Sequence, residues 1–158
     1  PDKMTNSSLP PALPNYMDVA MQEAYRARER GDVPVGAVIV HQGRIIAQDG
    51  NRIVASHDPT GHAEMIVLRA AAQFLRRERL FDCDLYVTLE PCTMCAGAIS
   101  HARIRRLYYG AWDEKGGGVD HGARFFDLET CHHRPEVYSG FQERESRALL
   151  RQFFSERR

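Results

Sequence analysis

The chain has no apolar run close to the roughly 20 residues a helix needs to cross a bilayer, so a membrane-spanning protein is not expected. It also lacks a basic start followed by an apolar stretch and a small-residue cleavage site, so export is not expected. An excess of charge of either sign is missing too: 21 basic and 21 acidic side chains give a formal net charge of zero. A domain that holds nucleic acid through a broad electrostatic footprint is normally strongly basic, so any nucleic-acid binding here has to rest on a local patch. Cysteine is scarce, with four in 158 residues. Cys92 and Cys95 form one Cys-x-x-Cys pair, while Cys83 and Cys131 stand far apart without a partnering pattern. That is not a disulfide framework, and a reducing, cytoplasmic setting is expected.

What is present is ordinary in bulk. The chain is 43% apolar and 27% charged, and its length suits one domain with a single sizeable core. Residues 1–14, with Pro10, Pro11 and Pro14 among Ser and Asn, read as a disordered leader or a cloning remnant, with Met4 a candidate natural start. Residues 15–158 then form one domain, without internal repeats. Met17, Ala20, Met21 and Ala24 recur at helical spacing over 15–30, and Gly31 ends that run. Val35–Val40 and Arg44–Ala47 flank Gln42-Gly43 as a hairpin. Residues 50–60 read as loop, with Asn51, Asp58 and Pro59 as turn residues. A helix follows over His62–Leu75, a strand over Asp84–Leu89, a helix with Pro91 as its first residue, and a strand over Ile104–Gly110. Gly116-Gly117-Gly118 opens a long flexible loop. A short strand over Pro135–Ser139 and an amphipathic helix over Gln142–Phe154, with Leu149, Leu150, Phe153 and Phe154 on its apolar side, close the chain. This order predicts a mixed sheet covered by helices on both faces.

Two short pieces carry chemistry: His62-Ala63-Glu64 and Pro91-Cys92-Thr93-Met94-Cys95. Zinc prefers thiolate and imidazole ligands in a tetrahedron, and three protein ligands leave a position open for water, the mark of a catalytic site. Cys92 and Cys95, three apart at a helix start, share a face and feel the positive end of the helix dipole, which favours thiolate. His62 and Glu64 are two apart, a spacing that diverges inside a helix but converges over its first turn. Zinc on His62, Cys92 and Cys95 leaves Glu64 free to move protons. A lone Cys-x-x-Cys is often structural zinc or redox chemistry. A closed structural site would need Cys83 or Cys131 as a fourth ligand, and the upstream His-Ala-Glu favours the open, catalytic alternative.

The combination of His-x-Glu with Pro-Cys-x-x-Cys is the signature of zinc-dependent nucleobase deaminases. The longer stretches narrow the likeness. Residues 32–38 (Asp-Val-Pro-Val-Gly-Ala-Val), Gly50-Asn51-Arg52, residues 57–64, residues 85–98 and residues 110–117 make the chain resemble bacterial tRNA adenosine deaminases over about 16–154. It departs from their commonest pattern at Asp32, Gly61, Trp112 and over 119–126. The resemblance implies an α/β fold, a cytidine-deaminase-like three-layer α/β/α sandwich on a mixed five-stranded sheet. It implies one Zn2+ per subunit, a homodimer, and a tRNA anticodon arm as partner, whose wobble adenosine becomes inosine. By the same resemblance Asn51 hydrogen-bonds the target base, Asp113 meets the nucleotide and its RNA context, and His133 touches the pocket edge. Taken alone, Asn after Gly is ordinarily a turn residue, and Asp113 reads equally well as a plain loop carboxylate. Two arginine groups, Arg103/Arg105/Arg106 and Arg151/Arg157/Arg158, are candidate phosphate patches, although such clusters are more often solvated faces. The rivals are a deaminase of a free base or nucleoside, such as guanine or cytosine, and a non-catalytic RNA-binding subunit on the same scaffold. The second rival would normally have lost the proton shuttle that Glu64 supplies.

Overall fold

A computed structural model describes residues 15–157; the leader expected over 1–14 and Arg158 lie outside the described residues. Helix α1 (Tyr16–Glu29) begins at Asn15, whose side chain accepts the N–H of Asp18. Strands β1 (Gly36–His41) and β2 (Arg44–Gly50) follow, then α2 (Ala63–Leu75), β3 (Cys83–Leu89), α3 (Thr93–Ala102) and β4 (Arg106–Ala111). A single 3-10 turn at Phe125–Asp127, β5 (Glu136–Tyr138) and α4 (Glu143–Glu156) complete the chain.

The five strands form one sheet in the order β2-β1-β3-β4-β5. β1 runs antiparallel to both β2 and β3, while β3, β4 and β5 are parallel. The sheet is therefore mixed, as the element order predicts. Period-two alternation sorts its side chains between two faces. Ala37, Ile39, Leu85, Val87, Leu107 and Tyr109 turn to one core with Val67, Ala71, Ala96 and Ile99 of α2 and α3. Val38, Val40, Tyr86 and Tyr108 turn to the other face, against Met17 and Ala20 of α1, and Leu149 brings α4 against α1. These are the three expected layers. No helix among the described residues is long and apolar enough to cross a membrane.

Most boundaries move by one or two residues, β4 for instance opening at Arg106 and not at Ile104, and two of the differences have a clear physical reason. β2 continues three residues past Ala47, because β1 pairs it as far as Gly36 opposite Gly50 and that ladder outweighs the polar Gln48-Asp49. Pro91 is not the first residue of α3. Cys92 is the N-cap, in extended conformation, and Thr93 opens the helix. The parallel β3-α3-β4 unit and the preceding loop-to-α2 turn bring the starts of α2 and α3 to the same edge of the sheet.

Candidate active site

Both chemical motifs lie on helix starts. His62 is the N-cap of α2 and Glu64 its second residue; Cys92 is the N-cap of α3 and Cys95 its third residue. A residue at the cap still points over the helix end, so the spacing of two between His62 and Glu64 converges here. His62 Nδ1 lies 3.7 Å from Cys92 Sγ and 3.5 Å from Cys95 Sγ. The three ligand atoms fall within 4.8 Å of one another, and among the described residues this is the one group of three or more His, Cys, Asp or Glu that does so. Zinc–sulfur and zinc–nitrogen bonds of about 2.3 and 2.05 Å at a tetrahedral angle separate N from S by about 3.6 Å. The observed edges match that value, so the residues present fit a zinc ion. Cys83 and Cys131 are elsewhere: Cys83 Sγ faces Asp82, and Cys131 Sγ sits 3.5 Å from Ser100 Oγ.

Electrostatics prepares the pair of thiols. A hydrogen bond from Cys95, with His62 next to it, holds the Cys92 sulfur down to about 4, while that same bond and burial push Cys95 up. Cys92 is thus ready as thiolate before metal arrives, and a cation releases the second proton. Glu64 is 4% exposed, and burial pushes its carboxyl up to about 7. A carboxyl near neutrality can both accept and return a proton.

A cavity of about 170 Å3 lies against this cluster. Val33, Val35, Ile53 and Leu89 form its apolar side; Asn51, His62, Glu64 and Cys92 its polar side. Asn51 Oδ1 accepts the N–H of Ala63 at 2.8 Å, which caps α2 and leaves the amide NH2 as the group Asn51 can offer a ligand. Asp113 also lines the cavity, but its Oδ1 accepts the backbone N–H of Lys115 at 3.2 Å and Gly116 at 2.9 Å. The sequence left Asp113 open between two readings; the side chain lines the cavity and also closes its own loop. The cavity continues past Val33, Leu89 and Asp113 into an open cleft of about 450 Å3 that adds Trp112, Lys115, Leu150 and Phe154.

His133 is not brought to this cavity. Its Nε2 lies 2.7 Å from the carbonyl oxygen of Ile104 and its N–H donates to Ser100 Oγ, at the far end of β4, because the segment after Cys131 packs on the C-terminal turn of α3. Nor do the arginines of the first candidate patch stand free. Arg105 donates twice to Asp84, Arg106 is shared between Asp84 and Glu136, and Arg103 closes on the Ser100 carbonyl. In the second patch Arg157 donates to the Gly31 carbonyl and covers the Phe153 ring.

Two buried carboxylates near the cavity were given no role from the sequence. Asp32 accepts the N–H groups of Val54 and Ala55, and Glu90 accepts several from the 113–121 loop. Glu90 had one visible signal, a charged residue closing the apolar strand Leu-Tyr-Val-Thr-Leu.

The pattern of the cytidine and deoxycytidylate deaminase zinc-binding region matches residues 12–111. A tRNA-specific adenosine deaminase of Agrobacterium fabrum is 60% identical over 144 residues, covering 91% of this chain and 95% of that protein. The chain belongs to the tRNA-specific adenosine deaminase family. Another member, from Bacillus subtilis, is 43% identical over 143 residues, covering 90% of this chain and 89% of the relative. A solved structure from studies of A-to-I editing by tRNA:A34 deaminases superposes with a TM-score of 0.84 at 59% identity, over 85% of this chain and 98% of that one. A guanine deaminase structure from Bacillus subtilis is 32% identical, with a TM-score of 0.61, over 90% of this chain and 91% of its own. The family's cofactor is zinc, and the donor set above suits it.

Proposed function

We propose that the chain is a hydrolytic deaminase that converts adenosine to inosine at the wobble position of a tRNA anticodon, with His62, Cys92 and Cys95 as zinc ligands and Glu64 as the catalytic residue. The observation that carries this reading is a buried carboxyl set beside a three-ligand metal cluster at the bottom of a base-sized cavity that opens into a wider cleft. A zinc ion held by His62, Cys92 and Cys95 would supply Lewis-acid activation of a water molecule, lowering its pKa toward neutrality. Glu64 takes one proton from the attacking water and delivers it to a ring nitrogen of the base; it then takes the second from the hydroxyl now on the tetrahedral carbon and passes it to the amine as the C–N bond breaks and the carbonyl forms, so that water and adenosine give inosine and ammonia. Asn51 offers its NH2 to an acceptor on the base. The apolar side of the cavity holds the ring and excludes water from Glu64.

The open cleft beside the cavity favours a base that is still part of a polynucleotide, since a free base needs no exit for flanking sugars and phosphates. Anticodon-loop bases are unpaired already, so one of them enters such a cavity at less cost than a base taken from a duplex. The reading includes a homodimer, checked by the mass of the protein in solution, and a cytoplasmic location, where its substrate is found.

Ammonia release tests the reading. Purified protein with zinc is expected to act on an anticodon arm carrying a wobble adenosine, and to leave guanine and cytosine untouched. Activity on a free base, with none on the arm, overturns it in favour of the guanine-deaminase-like alternative.

A further inference from the structure

We propose that Glu90 is a positioning residue that fastens the substrate-side loop, residues 113–121, onto the turn supplying Cys92, so that the cavity wall and the metal ligands move as one body. The proposal rests on the function argued above and names a residue that function does not use. The Glu90 side chain is wholly enclosed, with 0% of its surface exposed. Its Oε2 accepts the N–H groups of Val119 at 3.1 Å, Asp120 at 2.9 Å and His121 at 3.0 Å, and its Oε1 accepts that of Asp113 at 3.0 Å. His121 Nδ1 lies 2.8 Å from Oε1. Three successive backbone N–H groups converging on one oxygen form an anion-binding nest, and here the anion belongs to the chain itself.

The loop is closed on the same turn by backbone too. Gly118 donates to the Pro91 carbonyl at 2.8 Å. A Cβ at Gly117 would stand 2.4 Å from Glu90 Oε2, and one at Gly118 would stand 2.4 Å from the N of Thr93, the first residue of α3. Only glycine lets the loop approach this closely. What the loop presents is functional surface: Asp113 borders both cavity and cleft, and His121 meets Trp112 edge-on at 5.9 Å. Glu90 borders the cavity as well, but both of its carboxylate oxygens are taken up by the loop's own donors. It acts through the residues it holds.

Glu90→Gln keeps the shape but turns an NH2 toward donors whichever way the amide lies. Bound zinc, backbone amide exchange, and KM and kcat on the anticodon arm decide the matter together. The variant is expected to keep one zinc per chain and to lose protection at the amides of Asp113, Val119, Asp120 and His121 by about tenfold, the equivalent of one hydrogen bond to a charged acceptor. Amides of the sheet core stay protected. KM is expected to rise by about tenfold with kcat changed far less, because the wall and not the chemistry is loosened. Glu90→Asp, which keeps the charge, recovers part of the protection. Unchanged protection at those four amides, or a kcat loss with KM intact, overturns the proposal. Should Glu90→Gln not fold, His121→Ala removes one contact from a partly exposed side chain, and it must shift the same amides in the same direction or the proposal fails. Amide exchange and zinc content need no turnover, so a wild-type protein inactive on the arm would refute the function while leaving this assignment to its own evidence.

Discussion

Asp32→Asn tests whether a buried carboxylate holds the loop that carries Ile53 into the cavity. Asp32 is 1% exposed; its Oδ1 accepts the N–H of Val54 at 2.8 Å and its Oδ2 that of Ala55 at 3.1 Å. Asparagine keeps one acceptor and turns an NH2 toward the other N–H. A hydrogen bond to a charged group contributes about 1.5–3 kcal/mol and a neutral one about 1, so the lost bond and the weakened one together cost about 3 kcal/mol. Removing a charge from a dry site returns part of that. The loop also keeps bonds of its own, from the Arg52 N–H to the Gly61 carbonyl and from the Asp58 N–H to the Ile53 carbonyl, which limits the damage to a local loosening. The net expectation is a destabilisation of about 2 kcal/mol, which for a domain of this size lowers Tm by about 4–8 °C. Calorimetry of the zinc-loaded protein reads it directly. Asp32→Ala, with no acceptor left, is expected to fall further. A melting point for Asp32→Asn within about 1 °C of wild type, an effect well under 1 kcal/mol, would refute the reasoning and show that the turn stands by itself.

Other outcomes follow from the same geometry. Glu64→Gln is expected to keep its zinc and lose about 10²–10⁴ of its rate through loss of the proton shuttle; a single-turnover rate within tenfold of wild type would contradict that role. Asn51→Asp retains the acceptor that caps Ala63 but loses the NH2, so substrate affinity should fall with little change in Tm, whereas Asn51→Ala should lose affinity and about 1 kcal/mol of stability as well; equal Tm losses in the two variants would contradict the split. At Asp82, burial works against the charged form, but hydrogen bonds from Arg77 and His41 outweigh it and hold the carboxyl below its ordinary value of 3.8. The folded state therefore prefers the anion. The stability it adds is present above the ordinary value and lost as pH falls through the lowered one. Since that side chain is 35% exposed, denaturation of wild type against Asp82→Asn should differ by less than about 1 kcal/mol at pH 7 and converge in acid; a gap that widens in acid would reverse the assignment. RNA binding should depend weakly on salt, with a slope of log K against log[salt] near −2 for about three phosphates met by free cations; a slope much steeper than that would show a basic surface the paired arginines do not suggest.

The metal cluster was legible because its ligands sit in two short runs whose spacing reads directly as helix-start geometry. Neither run depends on a distant partner for its meaning. The clamps were not legible, for a physical reason. Asp32 and Glu90 each act on backbone N–H groups more than 20 residues away, and a backbone donor leaves no residue type to recognise. The three glycines at 116–118 read as a flexible stretch, yet Gly117 and Gly118 are there for close approach to Glu90 and Thr93. Charge counting failed similarly for Arg105 and Arg106. Their neighbours in the chain suggest a patch, while Asp84, on the adjoining strand, pairs with Arg105 and shares Arg106 with Glu136. His133 was placed by resemblance alone, and here it packs on Ser100 and Ile104.

The two clamps divide the work of the site. Metal ligands occupy helix starts, which the sheet and its core hold rigidly, whereas the surfaces that meet a substrate lie on two loops with few apolar anchors. A loop of that kind opens locally at low cost, and a cavity wall that opens admits water to Glu64. Tying each loop with a buried carboxylate solves this without filling the cavity, because an acceptor can gather several backbone N–H groups from one point where an apolar side chain would need volume. The arrangement also accounts for acidic residues in a protein whose proposed substrate is an anion. Asp32 and Glu90 are screened from that substrate by the very N–H groups they hold, so they rigidify the walls without repelling the phosphates outside.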